Sequence, residues 1–570
     1  LNESLDTEEE RTEKKSTQLE AVVNYVKEVF DKQCCERVPR PWLPSLADKL
    51  VSPVQNITQN REVVLQFPLG LVDIPQEQSQ EEFVIDLERE GNFGYFSASG
   101  YGKSTVLTTC ALSLARQNTV KNLNFYIFDF GNSALIPLKD LHHTADYINY
   151  DDEEKRNKFF KLIQKEMKHR KQLFAKSAAQ NFTVYNQMEE ERLKAIVILV
   201  DNMDILKEIG MEEEEEFSKI ARDGASLGIY LIFSAQSESG VRYATLNNVK
   251  QKIAGYMYDA SDISGIVGRG DYTLPDKKGR AMVKYKGVNI MQVYTAVEFE
   301  NEISYIENVK KSVEDLNQQY LYEIAPKIPV LPENLKYEHL SEYEKTSQEI
   351  DFTLGLDVEE VMQTGLRKGQ SPFVVIGESQ RGKTNVLKCI LNQMNAADTV
   401  YVYDSQSMEL NGYKEKGDMN YLRTEDDIAE FVEAMREIGD TRMEAFQEEL
   451  SADPELTMQE FLTWQQPVYV VVDEADRFVE MVNEEYEDEI AQIMQKAAGM
   501  GVTVILSLHS AKSHGYDDFT GWIKSANDGL VLGDQGTADI FTVEYGLNLE
   551  LGKGLLFSNG ISEKIMIPEC

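Results

Sequence analysis

The sequence has little positive charge for its length. Lysine and arginine number 58 against 97 aspartates and glutamates, which gives a formal net charge of −39 over 570 residues. Broad contact with nucleic acid or with an anionic membrane needs clustered positive charge, so this balance argues against both. We therefore expect no nucleic-acid partner, and a protein or peptide partner fits the charge better.

Cysteine pairs at metal-binding spacing are also missing. The five cysteines show no Cys-x-x-Cys and no Cys/His spacing; they are Cys34, Cys35, Cys110, Cys389 and Cys570. The spacing indicates neither a zinc site nor a disulfide framework, and a reducing cytoplasm is the expected compartment.

Long apolar runs are absent as well. No stretch approaches the roughly 18 to 20 apolar residues of a membrane helix, and none has the pattern of a signal peptide, so we predict neither within these residues. The chain begins at Leu1 without a methionine. We expect it to be a fragment of a longer protein, whose missing part could carry an anchor.

What the sequence does contain is a phosphate-binding loop in its second half. Residues 377–384 read Gly-Glu-Ser-Gln-Arg-Gly-Lys-Thr and follow the apolar stretch 373–376, which predicts a strand, a loop and a helix in that order. Glycines let backbone N–H groups face phosphates, the lysine reaches the outer phosphates, and the hydroxyl binds magnesium. The predicted nucleotide-binding residues are Gly377, Glu378, Ser379, Gln380, Arg381, Gly382, Lys383, Thr384 and Asn385.

A less complete copy of this loop occurs in the first half. Ser97 stands where the second copy has Gly377, and a serine is tolerated there only if the backbone φ is negative. The predicted nucleotide-binding residues of this copy are Ser97, Ala98, Ser99, Gly100, Tyr101, Gly102, Lys103, Ser104 and Thr105, with Asp201 and Gln236. The alternative for either copy is a glycine-rich strand–helix turn that packs tightly and binds nothing.

The two loops belong to a longer internal repeat. Four landmarks recur in one order, at offsets of 280, 275, 272 and 273 residues: Lys103 and Lys383, Asp129 and Asp404, Asp201 and Asp473, Gly228 and Gly501. Such recurrence indicates a tandem duplication. Unbroken apolar strands separated by helical stretches predict an α/β fold, with mostly parallel sheets flanked by helices.

Composition suggests where the two modules end. The proline-punctuated segment that starts at residue 325 is predicted to join them. The predicted domains are a connecting or docking helical segment at 1–62, a first module with degenerate motifs at 63–324, and a second module with intact motifs at 325–570. Apolar residues at helical spacing in the first segment predict a helix that packs on a core: Leu19, Val22, Val23, Val26, Val29 and Phe30.

The carboxylates after the third strand of each module distinguish their chemistry. In nucleotide hydrolysis the first aspartate holds the magnesium sphere, and a carboxylate beside it orients and polarises the attacking water. Glu474 fills that second role, whereas Asn202 cannot accept a proton. The predicted catalytic residues are Lys383, Asp473, Glu474 and His509. The predicted magnesium ligands, acting through water, are Ser104, Asp201, Thr384 and Asp473.

Further polar residues have two interpretations each. Gln236 and His509 end the next strand, where a polar side chain often senses the γ-phosphate, but His509 alone could equally be a packed core residue. Asp204 is a candidate substitute for the missing carboxylate, although Asp476 at the matching position suggests a shared purpose. Arg222 is a candidate arginine for a neighbouring site, with a surface ion pair as the alternative.

The order of motifs resembles the FtsK/SpoIIIE family of motor ATPases. Residues 220–236, 267–271 and 279–284 carry the resemblance. Tandem modules, the Arg-Pro-Trp-Leu-Pro segment at 40–44 and the acidic balance look most like the EssC/EccC type of type VII secretion ATPase. The similarity spans nearly the whole chain and corresponds to the last two ATPase modules of that type.

This resemblance carries expectations about fold, cofactors and partners. It implies two tandem RecA-like P-loop NTPase domains that use ATP and Mg²⁺, and a separate membrane-anchored region that would hold the chain at the cytoplasmic face of the bacterial membrane. It implies small secreted WXG-class helical-hairpin substrates, recognised through a C-terminal signal by the terminal module. Other modules and subunits of the secretion ATPase are further expected partners, with a hexamer as a candidate assembly.

Three functional hypotheses remain open from the sequence. In the first, the modules are enzymes that turn ATP hydrolysis into protein export, and hydrolysis is confined to the second module because Ser97 and Asn202 depart from the family's catalytic pattern. In the second, they form a nucleotide-stabilised binding platform with little turnover. In the third, they form an FtsK-like DNA translocase, which keeps the motifs but conflicts with the charge of −39.

Overall fold

The computed structural model divides the chain into two compact units, Leu1–Lys327 and Ile328–Cys570. The described residues are 17–33, 43–58, 60–270, 272–405, 407–415, 419–482, 486, 489–512, 517–533, 540–543 and 547–570. Cys34, Cys35, residues 40–42 and Asp271 lie outside them. Within the described residues, no helix combines the length and apolar composition needed to cross a bilayer.

The first unit is built around one large sheet. Its strands are β1 (Leu50–Val51), β2 (Gln66–Ile74), β3 (Ser79–Asp86), β4 (Phe93–Phe96), β5 (Leu123–Asp129), β6 (Thr144–Asn149), β7 (Ala195–Asp201), β8 (Ile229–Ala235), β9 (Gln251–Gly255), β10 (Arg280–Lys284) and β11 (Val288–Thr295). Its α-helices are α1 (Gln18–Lys32), α2 (Leu87–Glu90), α3 (Lys103–Ala115), α4 (Glu153–Ser177), α5 (Phe182–Met188), α6 (Leu206–Ile209), α7 (Met211–Asp223), α8 (Tyr243–Leu246), α9 (Ala260–Val267) and α10 (Glu302–Gln319). Strand β1 pairs with β11, so the chain joins this sheet before residue 62.

The second unit has the same plan. Its strands are β12 (Ile350–Asp357), β13 (Gln363–Arg367), β14 (Phe373–Gly377), β15 (Thr399–Tyr403), β16 (Met419–Leu422), β17 (Val468–Val472), β18 (Val502–His509), β19 (Asp528–Leu532), β20 (Lys553–Ser558) and β21 (Ile561–Met566). Its α-helices are α11 (Lys383–Leu391), α12 (Glu425–Ala452), α13 (Met458–Thr463), α14 (Ala475–Glu480), α15 (Ile490–Gly499) and α16 (Asp518–Lys524).

The strands of the two sheets follow one topology. The first runs β3-β2-β11-β10-β9-β4-β8-β7-β5-β6, and the second runs β13-β12-β21-β20-β19-β14-β18-β17-β15-β16. Position for position, these are the same order. Strands β9 to β6 and β19 to β16 are parallel, and the remaining neighbours along each path are antiparallel. The predicted α/β fold with two mostly parallel sheets is confirmed.

Both faces of the parallel strands are buried, which explains their unbroken apolar runs. Every residue of β5, β7 and β8 is buried. In β14, successive residues enter different clusters: Val374 and Ile376 pack in one, and Phe373 and Val375 in the other. This alternation follows from the period of two along a strand, with helices covering each face.

In each unit, a buried arginine donates hydrogen bonds to carbonyl oxygens that lie just before two neighbouring strands. Arg170 of α4 is fully buried and donates to the carbonyls of Leu227 at 2.8 Å and Lys194 at 2.9 Å, which precede β8 and β7. Arg442 of α12 donates in the same way to the carbonyls of Met500 at 2.9 Å and Gln466 at 2.6 Å. Neither arginine is predicted from the sequence, although their offset of 272 residues matches that of Asp201 and Asp473.

Two expectations about the chain are corrected by the fold. No residue of α1 is buried, and Leu19, Val22 and Val26 are exposed, so the expected core packing is not found among the described residues. Cys389 and Cys570 form a disulfide, contrary to the interpretation of the cysteine spacing. Their separation of 181 residues leaves no local pattern that could reveal the pairing.

Candidate nucleotide-binding sites

Each candidate loop connects a buried strand to the start of a helix. Residues 97–102 lead from β4 into α3, and residues 378–382 lead from β14 into α11, with Thr105 and Asn385 in the first helical turns. Gly102 and Gly382 cap these helices with φ of 94° and 98°, and neither helix has a side-chain cap. A Cβ added at Gly100, Gly102 or Gly382 would meet no atom within 4 Å. Both loops are therefore open cradles of backbone N–H groups, which suits an anion.

The side-chain amine of each loop lysine donates hydrogen bonds to carbonyl oxygens of its own loop. Lys103 Nζ donates to the Ser97 carbonyl at 3.1 Å, and Lys383 Nζ donates to the carbonyls of Gly377 at 3.1 Å and Glu378 at 2.9 Å. Burial lowers the pKa of both amines, and nearby carboxylates partly offset this. Each ammonium group therefore lies against the backbone of its own loop. In a nucleotide complex, phosphate oxygens would replace these carbonyl oxygens as its hydrogen-bond partners.

A hydroxyl and an aspartate meet beside each lysine. Ser104 Oγ donates to Asp201 Oδ2 at 2.6 Å, and Thr384 Oγ1 donates to Asp473 Oδ2 at 3.3 Å. Both aspartates are buried at the ends of β7 and β17. Burial raises the pKa of Asp201, although its two hydroxyl partners oppose this. The structure brings together the oxygens that were predicted to hold magnesium in each module.

A second hydroxyl group, from a serine that the motifs did not predict, hydrogen-bonds to each aspartate. Ser234 Oγ donates to Asp201 Oδ1 at 2.5 Å, and Ser507 Oγ donates to Asp473 Oδ1 at 2.6 Å. The same hydroxyls accept the backbone N–H of the residue after the aspartate, at 2.9 Å in both modules. Each serine lies two residues before Gln236 or His509, so the repeat itself carried the signal.

Asn202 and Glu474 share one backbone geometry but differ in chemistry. Both are left-handed, with φ of 61° and 56°. Asparagine tolerates this region better than glutamate does. The Glu474 carboxylate forms an ion pair with Arg477, with Oε2 and Nε 3.0 Å apart. The second module therefore holds its additional carboxylate in a less favourable conformation.

Ser97 fits because the residue beside it on the neighbouring strand is Gly255, whereas Gly377 lies beside Leu532. Neither Ser97 nor Gly377 has a positive φ. Ser97 Oγ donates to the Tyr256 carbonyl at 3.1 Å, and a Cβ on adjacent Gly255 would approach this hydroxyl to 2.8 Å. At the matching place in the second unit, a Cβ on Gly377 would lie 3.0 Å from the Cβ of Leu532. A small residue is needed on one of the two strands, and each module supplies it from a different strand.

The candidate γ-phosphate sensors have different surroundings. Gln236 is exposed, and its backbone N–H donates to Asp204 Oδ2 at 2.7 Å. His509 is half-buried, and its Nδ1 accepts the Ala511 N–H at 3.1 Å. Asp476 instead pairs with Lys512 at 3.6 Å, so the two matching aspartates make different contacts.

Two other predicted residues engage neighbours away from the cradles. Arg222 forms a surface ion pair with Asp223, with Nε and Oδ1 2.7 Å apart, as the alternative interpretation expected. The Asn385 side chain donates to the Pro568 carbonyl at 2.8 Å and accepts the Cys570 N–H at 3.0 Å. Only the backbone of Asn385 is therefore left to face a ligand.

Comparison with known proteins agrees with this geometry. The FtsK/SpoIIIE family model matches residues 54–253. A solved structure of EssC (ATPases 2 and 3) from Geobacillus thermodenitrificans is 31% identical, with a TM-score of 0.83, over 92% of this chain and 100% of that one. The chain belongs to the EssC/EccC branch of the FtsK/SpoIIIE ATPases. Membership of this P-loop ATPase family implies nucleotide binding, in agreement with the two glycine-rich loops.

Two further relatives show how much of an EssC/EccC-type protein this chain covers. The ESX secretion system protein EccC of Geobacillus thermodenitrificans is 32% identical over 566 residues, which cover 98% of this chain. The chain spans 38% of that relative's length. Thermomonospora curvata EccC (ATPases 2 and 3) in complex with a signal sequence peptide shares the fold, at 18% identity and a TM-score of 0.54 over 93% of this chain and 97% of that one.

Proposed function

We propose that the chain binds ATP with Mg²⁺ at both loops and hydrolyses ATP at the second. The observation that carries this is the matched set of a lysine amine, a hydroxyl and a buried aspartate beside each open cradle. Magnesium prefers oxygen ligands and keeps several waters, so the Ser104–Asp201 and Thr384–Asp473 pairs would hold it partly through water. When bound, the ion neutralises charge on the phosphates.

The residues of the second module divide the remaining work. Lys383 would neutralise the outer phosphates, and Glu474 would orient a water molecule and accept its proton. His509, at the end of β18, is assigned as the γ-phosphate sensor, with Gln236 as its counterpart. A non-glycine residue held in the left-handed region costs roughly 1–3 kcal/mol, and such strain is common at functional sites. The conformation of Glu474 supports a functional role for it.

Steady-state hydrolysis by two matched variants tests this assignment. Glu474→Gln keeps the size of the side chain but removes the base, so we expect turnover to fall at least 100-fold while ATP binding persists. Asn202→Gly is the control, because glycine accepts the φ of 61° without strain. It should leave turnover unchanged. Substantial turnover in Glu474→Gln would overturn the assignment.

We infer further that the chain is a cytoplasmic motor part of a type VII secretion ATPase. Its similarity to the ESX secretion protein EccC supports this, and the complex of the Thermomonospora curvata relative with a signal sequence peptide supports recognition of a signal, which we propose to be C-terminal. The proposed substrates are small WXG-class helical-hairpin proteins that bind the terminal module. The proposed location is the cytoplasmic face of the membrane, together with other modules and subunits, with a hexamer as the candidate assembly.

A regulatory platform is the second candidate, and Asn202 favours it for the first module. Adding a C-terminal substrate peptide to the chain separates the two functions. Stimulated ATP hydrolysis supports the motor, whereas peptide binding without a change in turnover supports the platform. A peptide of the same composition in scrambled order is the control, and equal binding of both peptides would contradict signal recognition.

A further inference from the structure

Three tyrosine rings meet beside the phosphate-binding loop of the first module. Tyr101 belongs to the loop, and Tyr256 and Tyr258 follow β9, which pairs with β4. The rings of Tyr101 and Tyr256 stack with centroids 4.3 Å apart and planes 27° apart. Tyr258 stands edge-on to both, with centroids 6.3 and 5.8 Å away. These three residues form the tyrosine cluster.

The cluster is anchored on one side and open on another. The Tyr101 hydroxyl donates to Asp276 Oδ1 at 2.8 Å, and this bond raises the pKa of Tyr101 to about 12. The phenol therefore stays protonated and keeps its anchor at neutral pH. Tyr258 is 79% exposed. Exposed aromatic rings grouped beside a functional loop offer apolar surface to a ligand.

The strand order shows which end of a bound nucleotide would face this cluster. β4 lies between β8 and β9 in the sheet. Asp201 and Ser234, which mark the side of magnesium and the outer phosphates, end β7 and lie on β8. A nucleotide cradled by the loop must extend its nucleoside away from that side. β9 and the tyrosine cluster are the neighbours in that direction.

We propose that the tyrosine cluster is a stacking platform for the nucleobase of the nucleotide held by the first loop. The inference rests on the proposed function, namely that this loop binds a nucleoside triphosphate. Stacking of a base on an aromatic side chain contributes to affinity for any base, because every base has a π-face. The first module would therefore hold its nucleotide tightly, and without a catalytic carboxylate at Asn202 the nucleotide would stay unhydrolysed.

The second module lacks the corresponding ring pair. Strand pairing places Gly533 where the first module has Tyr256, and the loop has Arg381 where the first has Tyr101. A Cβ added at Gly533 would lie 2.9 Å from Arg381 Nε, so an arginine–glycine contact replaces the tyrosine stack. The difference points to tighter base binding in the first module.

Calorimetric titration of the whole chain with two ligands tests the platform. A Lys383→Ala background weakens the second loop, so that the first reports alone. Magnesium ATP carries a base and magnesium tripolyphosphate does not. Tyr258→Ala should weaken ATP binding and leave tripolyphosphate binding unchanged, and Tyr101→Ala should weaken ATP binding roughly ten-fold and tripolyphosphate binding less. Tyr243→Ala, a ring 76% exposed outside the cluster, is the matched control and should change neither.

Each other outcome counts against the platform in a recognisable way. Equal losses for ATP and tripolyphosphate would mean that the tyrosines only support the loop. Unchanged ATP affinity in both variants would also overturn the platform while leaving nucleotide binding intact. If the background chain binds neither ligand, the first loop is not a nucleotide site and the proposed function fails there too. Because Tyr258 is mostly exposed, its replacement removes no core packing and remains informative if Tyr101→Ala unfolds.

Discussion

At the scale of single residues, Ser234 and Ser507 link Asp201 and Asp473 to the residue that follows each of them. Each hydroxyl donates to the aspartate and accepts the next backbone N–H. Each serine thereby sets the orientation of the carboxylate and also the position of Asn202 or Glu474. A serine near the end of a buried strand is too common a pattern to be singled out in one module, so only its recurrence in the repeat could have revealed this role.

Replacing each serine by alanine should show whether it affects stability alone or ATP turnover as well. Ser507→Ala leaves the Glu474 N–H and one Asp473 oxygen without a partner, so we expect turnover to fall roughly ten-fold, with a loss of about 1–3 kcal/mol in unfolding free energy. Ser234→Ala should destabilise its unit by a similar amount without affecting turnover. ATPase rates and urea unfolding measure both effects. Equal loss of turnover in the two variants would place hydrolysis in both modules.

His143 makes the first unit sensitive to acid. The ring is fully buried, its Nε2 lies 2.8 Å from the Asn118 carbonyl oxygen, and burial lowers its pKa to about 4. The unfolded chain takes up a proton nearer pH 6.5, so the stability that the neutral ring provides is complete above that pH and is lost as the pH falls towards 4.

A comparison of unfolding at two pH values checks this. Between pH 7.5 and 5, the wild type should lose about 2 kcal/mol more unfolding free energy than His143→Gln, which cannot titrate. Urea unfolding at each pH gives the difference. The same pH dependence in both proteins would show that other groups control the acid response.

At the scale of elements, the arginines of α4 and α12 fasten the longest helix of each unit to the starts of two strands. Arg170→Met removes the donors from two buried carbonyls and leaves Glu166 without its partner, 2.7 Å away. Loss of one member of a buried charged network typically costs about 3–5 kcal/mol. We expect a destabilisation of that size in the first unit.

An exposed ion pair on the same unit provides the control. Lys219 lies 2.7 Å from Glu216 and is 51% exposed, so Lys219→Met should leave the unfolding free energy nearly unchanged. Chemical denaturation followed by circular dichroism compares the two variants. Similar small effects would mean that Arg170 fills space without fastening the strands.

The parallel half of each sheet was predictable, whereas the antiparallel half was not. Strands such as β7 and β17 are unbroken apolar runs that end in a carboxylate, and the repeat aligned them. Strands β3 and β21 are largely polar and half-exposed, so their residues give no comparable signal. The place of β21 depends on its pairing with β12, which is distant in sequence, whereas β3 joins the edge of its sheet through β2, the strand just before it.

At the scale of the whole molecule, the acidic balance predicts that this chain does not act as a DNA translocase. A charge of −39 should repel a polyanion, and binding through phosphates would need clustered lysine and arginine. We expect no binding of labelled duplex DNA even at about 50 mM salt, where electrostatic attraction is strong. Anisotropy measures this, with an established DNA-binding protein as the positive control. Binding that weakens as salt rises would restore the DNA translocase hypothesis.

The sequence by itself determined the chain order of four parallel strands in each module, the two glycine-rich loops, and the contrast between Glu474 and Asn202, because each depends on residues that are close together in the chain. Only the tertiary structure determined which distant residues hold these features in place. Ser234 reaches Asp201 across 33 residues, and Cys389 reaches Cys570 across 181. Contacts of this kind depend on which strands and helices become neighbours, and the sheet topology, not any local pattern, sets that arrangement.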